Sequence, residues 1–160
     1  MLESAQELVA KLTQRSVTIA TCESLTGGGL GSAITDVPGA SAVYRGGLIV
    51  YARELKASLA GVDPELTEAE GVVNELTALQ MAIGVQTRCD SDWAIATTGV
   101  AGPAPQDGAD VGTVWCAVVG PGIGISAAPQ YTELSHFTGD RHQIRSACVD
   151  HALRMVLRVI

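Results

Sequence analysis

Apolar residues recur along this chain in short strand-like runs separated by segments of helical period. Leu2, Ala5, Leu8, Val9 and Leu12 return at helical spacing among Glu3, Glu7 and Lys11, predicting an amphipathic surface helix over about 2–15. Val17 to Ala20 predicts a strand over 17–21, with a helix over 25–36 behind it. A strand over 43–51 comes next, then a helix from Ala52 to about Leu59. Asp63-Pro64-Glu65 sets a capping aspartate before a proline at the first helical position, so a short helix should follow. Asn74 is placed to cap another helix, whose apolar stripe reads as Leu76, Leu79, Ala82 and Ile83. Asp92–Thr98 and Gly112–Val119 read as buried strands, and the weak alternation of Gln130–Phe137 suits an edge strand. Pro103–Asp110 carries turn signals throughout and reads as an exposed loop. The last helix has the clearest stripe: Ile144, Ala147, Cys148, Ala152, Met155, Val156 and Val159.

Strands separated by helices predict an α/β fold with the sheet covered on both faces. The short Pro121–Ser126 stretch lets the last two strands pair as a hairpin, which makes the sheet mixed. At 160 residues and 47% hydrophobic content the chain reads as one domain, 1–160, with room for a proper core. Eighteen glycines against one phenylalanine point to close packing of small side chains. The net charge of -7 argues against nucleic acid as a partner, though local arginines suffice for a small phosphorylated ligand. No apolar run reaches the roughly 18–20 residues of a membrane span, and the N-terminus lacks a signal-peptide layout. The four cysteines have no metal-type spacing and read as reduced thiols, so a cytoplasmic protein without a metal is expected.

Candidate chemistry gathers at three strand ends. Thr21-Cys22-Glu23-Ser24-Leu25-Thr26-Gly27-Gly28-Gly29 joins a strand to a helix through a glycine-rich turn, which can bring backbone amides close to an anion. Ser24 at its mouth is either a nucleophile or a helix N-cap. A serine nucleophile needs a proton acceptor, and His136, His142 and His151 all lie away from the strand ends. Lys56, five residues past Tyr51, is the remaining base, provided burial or a nearby cation keeps it neutral. Tyr51 can relay the proton or hold the lysine, and which of the two is the immediate base stays open. The Thr97-Thr98-Gly99 turn can offer amides to a developing oxyanion. Arg45, Arg53, Arg141 and Arg145 are candidate phosphate ligands, with Arg141 favoured by its place at a helix start.

Taken together these segments resemble the CinA C-terminal-domain family, which includes stand-alone nicotinamide-mononucleotide amidohydrolases. The resemblance rests on Glu23-Ser24-Leu25-Thr26-Gly27-Gly28, Thr35 to Ser41, Tyr44-Arg45-Gly46-Gly47, Tyr51 with Lys56, Thr98 to Pro103, Val111 to Val114, and Gly139-Asp140-Arg141. It departs at Leu25, where many members have cysteine, at Gly29, usually apolar, and at Asn74, often serine. The resemblance implies a three-layer α/β/α sandwich around a five-stranded mixed, mostly parallel sheet. It also implies hydrolysis of the mononucleotide's carboxamide to the acid and ammonia in pyridine-nucleotide salvage, without a cofactor. Ser24 would be the nucleophile and Tyr51 and Lys56 its partners. Substrate contacts are expected from Glu23, Thr26, Gly27, Gly28, Arg45, Thr98, Gly99 and Arg141. A small-molecule nucleotide substrate and a homo-oligomer are expected, and a non-catalytic nucleotide-binding or regulatory module is the alternative.

Overall fold

A computed structural model gives the fold and describes residues 1–122 and 128–160. Its elements are α1 (Glu3–Arg15), β1 (Ile19–Glu23), α2 (Gly29–Thr35), a 3-10 turn (Ala40–Ala42), β2 (Tyr44–Ile49), α3 (Arg53–Ala60), α4 (Pro64–Glu70), α5 (Glu75–Cys89), β3 (Trp93–Gly99), β4 (Thr113–Val119), β5 (Gln130–His136) and α6 (Arg141–Val159). The strands form one sheet in the order β2-β1-β3-β4-β5. β1 lies between β2 and β3 and pairs in parallel with both, whereas β4 is antiparallel to both β3 and β5. Only β4 is therefore reversed. Parallel neighbours require a crossover, and helices supply it between β1 and β2 and between β2 and β3. The Pro121–Ser126 connection falls largely outside the described residues, but the paired registers of β4 and β5 bear out the hairpin.

Side chains of alternate residues go to opposite faces of the sheet, and here each face has its own core. Ile19, Trp93, Ile95, Val114, Cys116 and Val118 point into one cluster with α1, α2 and α6. Ala20, Cys22, Ala94, Ala96, Ala117 and Val119 point into the other, with α5. The second face is lined by small residues, so α5 lies close to it. α5 also lies close to α3, since a Cβ at Gly84 would fall 1.7 Å from the Ala60 carbonyl oxygen.

That close approach corrects the expected face of α5. Ala78, Met81, Ala82 and Val85 are buried, while Leu76 and Ile83 stand exposed. Of the expected stripe, Ala82 is buried and Leu79 partly so; the face against the alanine-lined sheet is turned toward Ala78, Met81 and Val85. α2 starts later than the expected 25–36, because Gly27 and Gly28 hold φ of 59° and 94° and keep 25–28 as a turn. The predicted caps are present: Asp63 accepts from the Glu65 amide at 2.9 Å and Asn74 from the Thr77 amide at 2.8 Å. All four cysteines are free thiols. No described helix is long and apolar enough to cross a membrane.

Candidate active site

The C-terminal ends of the parallel strands position the site, as ligand crevices in such sheets usually are. β1 ends at Glu23, level with Ile49 of β2 and Thr97 of β3. The Ser24 amide donates to the Thr97 carbonyl at 3.0 Å and the Val50 amide to the Glu23 carbonyl at 2.9 Å, locking the three chain ends together. Ser24 is thus held just beyond the end of β1.

Ser24 caps no helix. The N-cap of α2 is Gly28, and the amides of Gly28, Leu30 and Gly31 donate to the Glu23 carboxylate at 3.0, 2.9 and 2.8 Å. This corrects the expectation of Glu23 as a substrate ligand: its buried carboxylate already fills the start of α2. Alternation explains it, because Glu23 leaves the strand on the opposite face from Cys22.

On α3, Lys56 is 1% exposed and its Nζ meets three acceptors. It donates to Ser24 Oγ at 3.0 Å, to the Val50 carbonyl at 2.8 Å and to the Tyr51 carbonyl at 3.4 Å. An ammonium uses all three protons in this arrangement. Once neutral, the amine can keep two N–H bonds to the carbonyls and turn its lone pair to the serine hydroxyl. Burial drives the Lys56 pKa down to about 8; Cys22 opposes this, Arg53 adds to it, and Asp107 and Glu54 oppose it. The Cys22 thiol nearby is itself pushed up to about 12, chiefly by burial.

The lowered value sets a stability trend. Between about 8 and the ordinary 10.5 the folded protein binds fewer protons at Lys56 than the unfolded chain, so stability rises with pH across that window. The penalty is fully present below it. Wild type should gain up to about 3 kcal/mol relative to Lys56→Met as pH climbs from about 7 to 10 in urea denaturation. A constant difference between the two proteins would mean that Lys56 is unperturbed.

Tyr51 departs from expectation in what it touches. Only its carbonyl reaches Lys56; its side chain is exposed and its hydroxyl accepts from Arg141 Nη2 at 2.7 Å. Arg141 Nη1 donates to the Gly102 carbonyl at 2.7 Å, so the guanidinium spans the pocket mouth. Arg141 opens α6 beside a capping box in which Asp140 and Gln143 bond each other's backbone. Ser24, Tyr51, Arg53, Lys56, Gly99 and Arg141 all line one pocket of about 180 Å³, walled on one side by Val100 to Gly102, Ala104 and Gln106.

The remaining predicted ligands lie outside this pocket. Thr26 Oγ1 and Thr97 Oγ1 bond each other at 2.9 Å, and Thr98 Oγ1 donates to the Val72 carbonyl at 2.7 Å, all buried. Gly27 and Gly28 shape the turn, where a Cβ would crowd Arg145 and Ile49 respectively. Arg45 lies four residues before Ile49, about 13 Å back along β2 from the strand ends, and donates to the Cys89 carbonyl at 3.0 Å. Arg145 braces the Leu25 and Thr26 carbonyls at 2.9 and 2.8 Å. Asp107 and Gln106 were missed. A larger cavity of about 540 Å³ lies between α2 and α6, lined by Ser32, Asp36, His142, Arg145 and Ser146, but neither serine is hydrogen-bonded to His142. Among the described residues no group of three His, Cys, Asp or Glu side chains is arranged to hold a metal ion.

The family model of the CinA C-terminal domain matches residues 2–160. A CinA-like protein of Frankia casuarinae is 47% identical over 149 residues, 93% of this chain and 33% of that protein. A CinA-like protein of Myxococcus xanthus is 36% identical over 155 residues, 95% of this chain and 35% of that protein. The chain spans about a third of the length of these curated relatives. Among solved structures, the competence/damage inducible protein CihA from Agrobacterium tumefaciens matches with a TM-score of 0.91 at 32% identity, covering 98% of this chain and 93% of that one. A CinA superfamily protein from Escherichia coli matches at 0.87 and 30% identity, covering 100% and 94%. Sequence and near-complete structural overlap agree, and the chain belongs to the CinA C-terminal domain family.

Proposed function

We propose that this protein is an amidohydrolase that converts nicotinamide mononucleotide to nicotinate mononucleotide and ammonia. The observation that carries the reading is the buried Lys56 Nζ 3.0 Å from Ser24 Oγ, with no histidine in the pocket. Neutral Lys56 takes the hydroxyl proton as Oγ bonds to the carboxamide carbon, and the carbonyl oxygen becomes an oxyanion. The Ser24 amide is bonded to Thr97, whereas the Leu25 amide finds no acceptor among the described residues, so the latter is the better oxyanion donor. Collapse breaks the C–N bond, and the Lys56 ammonium gives its proton to the leaving nitrogen, releasing ammonia. Water then attacks the acyl-serine ester with Lys56 again accepting the proton, and Ser24 leaves reprotonated.

The pocket is smaller than the roughly 300–1,000 Å³ of sites that enclose a whole ligand. It suits the reacting end of a substrate whose phosphate extends to the mouth, where Arg141 presents a forked cation. Four free thiols fit a reducing cytoplasm and a role in nucleotide salvage. The alternative, a non-catalytic nucleotide-binding module, draws support from the Arg141–Tyr51 bond across the mouth and from the chain spanning a third of its relatives. An ammonia-release assay on the mononucleotide, with nicotinate mononucleotide quantified in parallel, separates the two. Equal amounts of both products support the amidohydrolase, whereas saturable binding without ammonia would establish the module instead.

A further inference from the structure

The loop between β3 and β4 does more than connect. Gln106 and Ala109 exchange backbone hydrogen bonds at 3.1 and 2.8 Å, with φ of 50° at Asp107 and 77° at Gly108 between them. This is the two-residue hairpin turn that Asp-Gly favours. The side chain of such a turn usually stands in water, but Asp107 folds back. Its carboxylate accepts from the Val72 amide at 3.0 Å and from Arg53 Nη2 at 3.1 and 3.0 Å. Gly71 makes room for it, since a Cβ there would lie 2.5 Å from that of Asp107. Arg53 Nη1 also donates to the Thr67 carbonyl, so one guanidinium gathers α3, α4 and the loop. Arg53 stands three residues before Lys56 on α3 and lines the same pocket.

We propose that the Arg53–Asp107 pair is a positioning device of this site. Arg53 sets a cation one helical turn from Lys56, and Asp107 partly neutralises it while holding Ala104 and Gln106 in place as the pocket wall. Its consequences for rate rest on the amidohydrolase reading; its electrostatic consequences do not. The ionisable groups that bear on Lys56 are Arg53 and Glu54 on its own helix, the Cys22 thiol on β1 and Asp107 on the loop. Tyr51 and Arg141 share the pocket. Arg53 favours the neutral amine beyond what burial does, and Asp107 works against it.

The chain contains two lysines, Lys11 and Lys56, so protein labelled with ε-13C lysine gives two resonances, one of them an internal control. Titrated by NMR, Lys56 should move its midpoint up in Arg53→Gln and down in Asp107→Asn. A merely structural pair predicts shifts of the same sign or none, and either result would overturn the proposal. Arg53→Met and Asp107→Ser make the same charge changes and serve where a variant does not fold. In the ammonia assay Asp107→Asn should raise KM more than it lowers kcat and move the acid limb of kcat/KM down in pH, with Arg53→Gln moving that limb up. Opposite NMR shifts without turnover would retire the amidohydrolase reading and leave the pair standing. Turnover with an unmoved Lys56 midpoint would retire the pair and leave the reading.

Discussion

Ser24→Ala should reduce ammonia release from nicotinamide mononucleotide by about 10³-fold or more while the protein still folds and binds the mononucleotide. The hydroxyl is the atom proposed to bond the carboxamide carbon, and no second serine lines the pocket. The structural cost is small, because the side chain caps no helix and its recorded partner is Lys56 Nζ at 3.0 Å. Losing one such bond costs about 0.5–1.5 kcal/mol, a few degrees in thermal midpoint. The mononucleotide's dissociation constant, read by calorimetry, should change only a few-fold. A variant retaining more than a few per cent of the rate would show that Ser24 merely positions another group. Collapse of binding together with rate would mean that the serine holds the substrate rather than attacking it.

The architecture was legible because β1, β3 and β4 are short, largely apolar runs and the breakers between runs are chemically explicit. Asp63 before Pro64, and Asn74 three residues before Thr77, are local signals, and both caps form where expected. The face of α5 was not legible from hydropathy, which ranks Leu76 and Ile83 above Ala78 and Thr77. The deciding partner is a sheet surface of Ala20, Ala94, Ala96 and Ala117, which only the assembled fold brings together. The start of α2 shifted because positive φ at two glycines outweighs the helical character of the small residues that follow.

Within the candidate site, Ser24 and Lys56 were readable from strand ends and from the scarcity of lysine. Glu23 and Arg45 were misplaced for reasons present in the sequence. Strand alternation puts Glu23 on the α2 side of the sheet, and parallel pairing puts the first residues of β2 at the far end from Ser24. The Arg53–Asp107 pair had no comparable local signal. Its members are 54 residues apart, and Asp107-Gly108 announces only a turn. Tyr51 lay between these cases: its position near Lys56 was inferred correctly, but the contact is made by its carbonyl, with the hydroxyl turned to Arg141.

Lys56→Arg should be nearly as inactive as Lys56→Ala, each losing about 10²–10⁴ in kcat, the usual worth of a general base. A guanidinium stays protonated at any working pH, so it can carry the charge but cannot accept the serine proton. Wild type, with Lys56 titrating at about 8, should show kcat/KM rising tenfold per pH unit on the acid side and levelling above that value. The direction follows from the neutral amine being the active form, and a profile falling through the same range would reverse the assignment. The Lys56 site is buried and hemmed by two carbonyls, so Lys56→Arg must be shown to be folded by circular dichroism and thermal melting before its rate is interpreted. Lys56→Met, uncharged and of similar length, is the companion variant: it keeps the packing, removes the base and should be as inactive as Lys56→Ala. Substantial turnover by a folded Lys56→Arg enzyme would make the lysine an electrostatic element. The base would then have to be Tyr51, whose hydroxyl would first have to leave Arg141 and turn inward to Ser24.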